Sequence, residues 1–244
     1  MLPRLWGNDT TTPSKDGCLA ENGTGKFSDI DVNTLEYLKW LGCSHVWYTG
    51  IIRHSTQESE QGCIPSHPQF VKGKAGSPYA ICDYFDVNAY LADDPQKRME
   101  EFEALVERTH KSGLKVIIDF VPNHVSRDYG RNSLVEGHSV LGREDDKTVH
   151  WCHTNDFFYY PGESLRLPGQ CPKGVEPYVE TPAMATGNNC FNPSPGINDW
   201  YETIKINYCD THSPTWDKMY DIIEFWASKG VDGFRCDMVE LVPP

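Results

Sequence analysis

The chain has 244 residues, of which 39% are apolar and 23% charged, enough for one large domain or two modest ones. Its 22 basic side chains are outnumbered by 35 acidic ones, and the net charge of −13 repels phosphate backbones and anionic lipid surfaces. No apolar run approaches the roughly 20 residues a membrane helix needs; Val116-Ile117-Ile118 is broken at once by Asp119. No nucleic-acid partner and no membrane partner are expected.

Taken in chain order, Leu2-Pro3-Arg4-Leu5-Trp6 reads as a first β-strand. A helix is predicted from about Thr34 to Leu41, with Leu35, Leu38 and Leu41 on one side, Asn33 as cap, Glu36 closing a capping box and Gly42 as its end. His45-Val46-Trp47-Tyr48 follows as a strand, and residues 51–84 form a long connection. Asp94-Pro95 opens a second helix that carries Met99, Phe102, Leu105 and Val106 and stops at Gly113. The run Lys115–Val121 is the next strand, and residues 122–212 are a much longer connection rich in Pro, Gly, Asn and aromatics. Ser213-Pro214 starts a third helix, with Trp216, Met219, Ile223 and Trp226 inward, before Gly230 and a strand over Val231–Arg235.

A helix, a glycine and then a buried strand, three times over, is the repeating half of a βα unit in a parallel sheet. The glycine-rich phosphate loop of a dinucleotide fold is missing after the first strand, which favours an α/β barrel of the (β/α)8 TIM type. A structureless loop of 122–212 would be implausible in a compact domain. It is read as an inserted subdomain, dividing the chain into a first barrel part (1–121), the insertion (122–212) and a barrel continuation (213–244). Nine cysteines, an odd number without a Cys-x-x-Cys pair, show neither zinc nor redox spacing. Mostly reduced thiols are expected, which favours the cytoplasm. No signal peptide pattern is present, but the chain is expected to begin inside a structural element, so the compartment stays open.

Two strand ends carry chemistry. Asp119 lies late in an apolar strand and is followed by Pro122-Asn123-His124; a carboxylate there costs several kcal/mol unless it is paired. By itself it reads as readily as a structural acid tying down a loop. Gly233-Phe234-Arg235-Cys236-Asp237 ends the last strand, and residues two apart share a face, so Arg235 sits beside Asp237. A guanidinium beside a carboxylate keeps it ionised, a state suited to a nucleophile at a sugar's anomeric carbon. The plain alternative is a structural ion pair.

These residues resemble the α-amylase family of glycoside hydrolases (family 13). Asp119–His124 looks like its first signature, Gly233–Asp237 like its second, and Tyr79-Ala80-Ile81-Cys82-Asp83-Tyr84 is similar to its Tyr-x-x-x-Asp-Tyr segment. Ile206-Asn207 echoes the short motif near the end of the family's inserted B domain. The resemblance implies that Asp237 is the nucleophile of a retaining hydrolase of α-glucosidic bonds in starch-like α-glucans or maltooligosaccharides, with Arg235 orienting it. It implies that His124 hydrogen-bonds the sugar, Tyr79 stacks on it, and Asp119 organises the base of the site. Asn123 matches a calcium ligand in many members; no other cofactor is implied. Where many amylases carry Lys-His after the nucleophile, this chain has Glu240-Leu241. The family's general acid follows a later strand, so the chain is expected to be the N-terminal half of a catalytic domain, first to fourth strand plus a B-like insertion, inactive by itself. A transglycosylase of the same family, or an amylase-like binding or partner protein without catalysis, are the alternatives.

Overall fold

The computed structural model describes residues 1–59, 63–131, 138–208 and 211–243. In order, the elements that position the site are a short helix α1 (Leu19–Asn22), α2 (Val32–Trp40), β1 (His45–Tyr48), β2 (Ile52–His54), β3 (Ile81–Val87), α3 (Arg98–Lys111) and β4 (Lys115–Phe120). There follow β5 (His124–Ser126), β6 (Tyr159–Tyr160), β7 (Ala183–Met184), β8 (Thr203–Lys205), α4 (Pro214–Ser228) and β9 (Gly233–Cys236). Strands β1, β4 and β9 form one parallel sheet in that order, with Tyr48 beside Ile118 and Asp119 beside Arg235. The three helix-glycine-strand units expected from the sequence are all present, each helix leading into one strand of this sheet.

The expected first strand is not. Leu2–Trp6 closes into a tight turn, with the Leu5 and Trp6 amides donating to the Leu2 carbonyl at 3.0 and 3.2 Å. Pro3 has no N–H to give a ladder, and the turn satisfies the neighbouring amides internally. Only Met1 joins the sheet: its ammonium donates to the Trp47 carbonyl at 2.7 Å and its carbonyl accepts from Thr49 N–H at 2.9 Å. The parallel sheet of the described residues therefore has three strands, not four, and is open rather than a closed barrel.

Helix α2 begins earlier than expected, because Asp31 rather than Asn33 caps it. Asp31 Oδ1 accepts from Thr34 N–H at 2.8 Å, and the Asn33 side chain merely supports Asp31. Leu35 is buried as predicted, whereas Leu41 follows the helix and is exposed. In α3 the Asp94-Pro95 start, which is a 3-10 turn over Pro95–Lys97, leads to buried Phe102, Leu105 and Val106. In α4, Ser213 caps and Met219, Ile222 and Trp226 face inward. The Trp226 ring packs edge-on against Phe102 and its indole N–H donates to the Tyr84 carbonyl at 2.8 Å, joining both helices to β3. No helix among the described residues is long and apolar enough to cross a membrane.

The connection at 51–84 is not bare: β2 and β3 pair antiparallel within and beyond it. The long connection after β4 carries two small antiparallel ladders, β5 with β8 and β6 with β7. Asp156 fastens it to α4, accepting from Lys218 Nζ at 2.5 Å and from the Thr215 hydroxyl at 2.8 Å.

His54 on β2 is buried, with Nδ1 donating to the Ser55 carbonyl at 3.0 Å and Nε2 2.7 Å from the Tyr90 hydroxyl. Burial lowers its pKa from 6.5 to about 4. The native ring thus stays neutral at pH values where the unfolded ring has already bound a proton. Stability should be indifferent to this group above pH 6.5 and fall as pH drops from there toward about 4. One such proton contributes about 1.4 kcal/mol per pH unit. Urea unfolding of the parent and His54→Gln across this window should show the variant with a slope smaller by about one proton; equal slopes would mean that the ring charges within the fold.

Candidate active site

The site is assembled where β4 and β9 end. Asp119 and Arg235 are register partners, and the Asp237 amide extends the ladder by donating to the Phe120 carbonyl at 2.8 Å. Arg235 Nη1 lies 2.6 Å from Asp237 Oδ1 and 3.4 Å from Asp119 Oδ1, so one guanidinium faces two carboxylates. Its plane also lies over two rings, 5.2 Å from the Trp47 centroid and 5.5 Å from that of Tyr79. Asp119 is buried, which raises its pKa against the opposing hydrogen bonds from the Trp47 side chain and the Gly50 amide, the latter at 3.3 Å. Directly after Asp237, Met238 adopts a left-handed backbone with φ of 49°, a strained turn for a side-chain-bearing residue.

In front of Asp237 is a cleft of about 320 Å³ lined by Ser77, Tyr79, His124, Trp200, Glu202, Thr203, Asp237 and Met238. That volume is at the lower end of ordinary ligand pockets, which run from about 300 to 1,000 Å³. His124 is buried, and burial, assisted by the nearby Lys205 ammonium, lowers its pKa to about 4, so the ring is neutral near pH 7. Asn123 Nδ2 lies 3.1 Å from His124 Nδ1; donation there leaves the ring proton on Nε2. The ring also bonds to the Tyr79 backbone, tying the two walls of the cleft together.

Of the residues singled out from the sequence, Tyr79, Asp119, His124, Arg235 and Asp237 are thus brought together. Glu240 is exposed on a 3-10 turn and does not line the cleft. Sequence reasoning missed Trp47, Ser77, Trp200, Glu202, Thr203 and Met238. An outward-facing Trp in a short strand was a readable signal for Trp47. Trp200 and Glu202 lie in a stretch without periodicity and carried none.

Asn123 is fully buried and does not line the cleft, its Nδ2 donating also to the Gly187 carbonyl at 2.8 Å. Its Oδ1 accepts from the buried ammonium of Lys205, which also donates to the Leu241 carbonyl at 2.9 Å. Calcium takes six to eight oxygen ligands, and an ammonium already bound to the one candidate oxygen repels a second cation. Among the described residues no cluster of three or more His, Cys, Asp or Glu side chains could hold a metal ion. The donor set around Asn123 does not fit calcium. Lys205→Met should leave the buried Asn123 Oδ1 without a donor, at about 1–3 kcal/mol, and free the half-buried Leu241 carbonyl at less. Chemical denaturation should read that loss, with neither millimolar calcium restoring the variant nor EDTA weakening the parent.

The profile of the family described as "Alpha amylase, catalytic domain" matches residues 17–185, more than half of the chain. Trehalose-6-phosphate hydrolase of Bacillus subtilis (strain 168) is 26% identical over 230 residues, covering 91% of this chain and 32% of that protein. An amino acid transporter heavy chain of Homo sapiens is also 26% identical, over 228 residues, covering 91% of this chain and 27% of that protein. Among solved structures, an alpha-amylase from Lactobacillus plantarum superposes with a TM-score of 0.53 at 25% identity, covering 90% of this chain and 35% of the other. The chain spans about a third of the length of the curated relatives it matches. With the family profile across residues 17–185 and two carboxylates meeting one arginine where β4 and β9 end, the chain belongs to the alpha-amylase catalytic-domain family of glycoside hydrolases.

Proposed function

We propose that this chain carries the nucleophile side of a retaining glycosidase acting on α-glucosidic bonds of starch-like α-glucans or maltooligosaccharides. The observation that carries the reading is the 2.6 Å pair between Arg235 and Asp237, with Asp237 opening into a cleft walled by Tyr79 and His124. A carboxylate oxygen of Asp237 attacks the anomeric carbon as the bond to the leaving oxygen breaks, giving a glycosyl-enzyme ester. Arg235, 2.6 Å away, holds the Asp237 carboxylate in place for that step. Tyr79 offers a ring to the sugar's C–H face, and neutral His124 can exchange its bond to the Tyr79 backbone for one to a sugar hydroxyl. Water then releases the sugar in a hydrolase, or a second sugar in a transglycosylase.

The leaving oxygen must also gain a proton. Glu202 lines the same cleft, but its carboxylate is engaged by Lys72 Nζ at 2.9 Å. Asp119 is turned to Arg235 and the Gly50 amide, and Glu240 lies outside the cleft. In this reading none of these described carboxyl groups is placed to donate that proton. A transporter heavy chain among the relatives favours a second reading, an amylase-like partner protein without catalysis.

A fluoride leaving group separates the two, because its departure needs no proton donor. Incubation with 5-fluoro-α-glucosyl fluoride should leave one fluoroglucosyl group on the peptide containing Asp237, read by mass spectrometry and absent in Asp237→Asn. No adduct would favour the partner reading. The 244 residues by themselves should release no reducing sugar from starch or maltooligosaccharides, since loss of a general acid removes about 10²–10⁴ in rate. Turnover abolished by Asp237→Asn would place the acid within the chain.

A further inference from the structure

The two walls of the cleft come from different parts of the chain. Ser77 and Tyr79 belong to the loop between β2 and β3, while Trp200, Glu202 and Thr203 come from the segment that leads into β8. The half-buried Trp200 indole stands edge-on to the His124 ring, with centroids 5.3 Å apart. Its backbone is held from both sides. The Trp200 amide donates to Asn188 Oδ1 at 3.3 Å, and its carbonyl accepts from the Thr203 amide at 2.9 Å and hydroxyl at 2.8 Å.

Lys72 crosses from the loop of Tyr79 to this second wall. It pairs with Glu202 at 2.9 Å, donates to the Asp199 carbonyl at 3.1 Å, and lies 4.4 Å from the centroid of the Tyr201 ring. Three contacts to residues 199–202 make it a strap between the walls. An indole partly open to a cleft, beside a carboxyl group, matches a pyranose: the ring offers a surface for C–H groups and the carboxyl oxygens accept from hydroxyls.

Resting on the glycosidase reading, we infer that Trp200 and Glu202 form the subsite for the sugar next to the one attacked by Asp237. Lys72 is the positioning residue that sets the distance between this wall and Tyr79. Nothing in the nucleophile's own geometry requires either feature.

The test uses the Asp237→Asn chain, which binds without turnover, and calorimetric titration with maltotriose and with glucose. Trp200→Ala should weaken maltotriose about tenfold while leaving glucose unchanged, and Trp200→Phe should recover most of the loss. Lys72→Met should weaken maltotriose several-fold with the same selectivity. Trp200→Ala binding maltotriose as tightly as its parent overturns the subsite, as does an equal loss for both sugars, which marks a structural role. Should the parent bind maltotriose and only Tyr79→Ala respond, the glucan reading stands and the subsite falls. A parent that binds no maltotriose overturns both.

Discussion

The parallel register of β4 and β9 sets Asp119 opposite Arg235, and the electrostatics of the cleft follow from that one pairing. Two carboxylates gathered at neighbouring strand ends repel, and burial makes the charge on Asp119 costly, as its raised pKa shows. The guanidinium shared between them offsets both effects. Arg235's side chain is 38% exposed, so its ion pairs are screened and add little to stability. Their value is orientation: the strand fixes the Arg235 backbone, Trp47 and Tyr79 flank the guanidinium, and the carboxylate of Asp237 is left facing the cleft.

The long connection after β4 is held by polar contacts of a different kind. Arg127 pairs with Glu180 at 2.6 Å, both side chains almost wholly buried, and Asp156 joins Lys218 across to α4. Asp128 accepts from the hydroxyls of Ser55, Ser66 and Ser126 at 2.5–2.7 Å, connecting β5 to the loop after β2. Such pairs gain little over apolar packing, yet removing one partner strands a buried charge at about 3–5 kcal/mol. They therefore determine where the connection sits more than how stable it is. Trp200 and His124 meet in the cleft because that placement is held, with Lys205 adding a further link from β8 to Asn123 and to the turn after Asp237.

Much of the scaffold was legible in the residues alone. Three amphipathic helices, each followed by glycine and a β-rich run, announce themselves through local periodicity, and caps such as Asp94-Pro95 and Ser213-Pro214 act within one turn. The error at Asn33 was of the same local kind, since Asp31 two residues earlier makes the better cap. At Leu2–Trp6 composition resembled a strand, but a strand needs partners along its length, and the chain there satisfies its amides in a turn.

The sequence by itself determined the α/β class, the family, and which carboxylates and arginine stand at strand ends, because these depend on short-range spacing and strand alternation. Only the tertiary structure decided the number of strands in the sheet, the turning of Asn123 toward Lys205, and the wall built by Trp200 and Glu202. Each of these arises between residues far apart in the chain: Lys72 and Glu202 meet across 130 positions, Asn123 and Lys205 across 82. No local pattern encodes such a meeting. It exists only once burial has folded the long connection after β4 back over the strand ends and charge has chosen its partners.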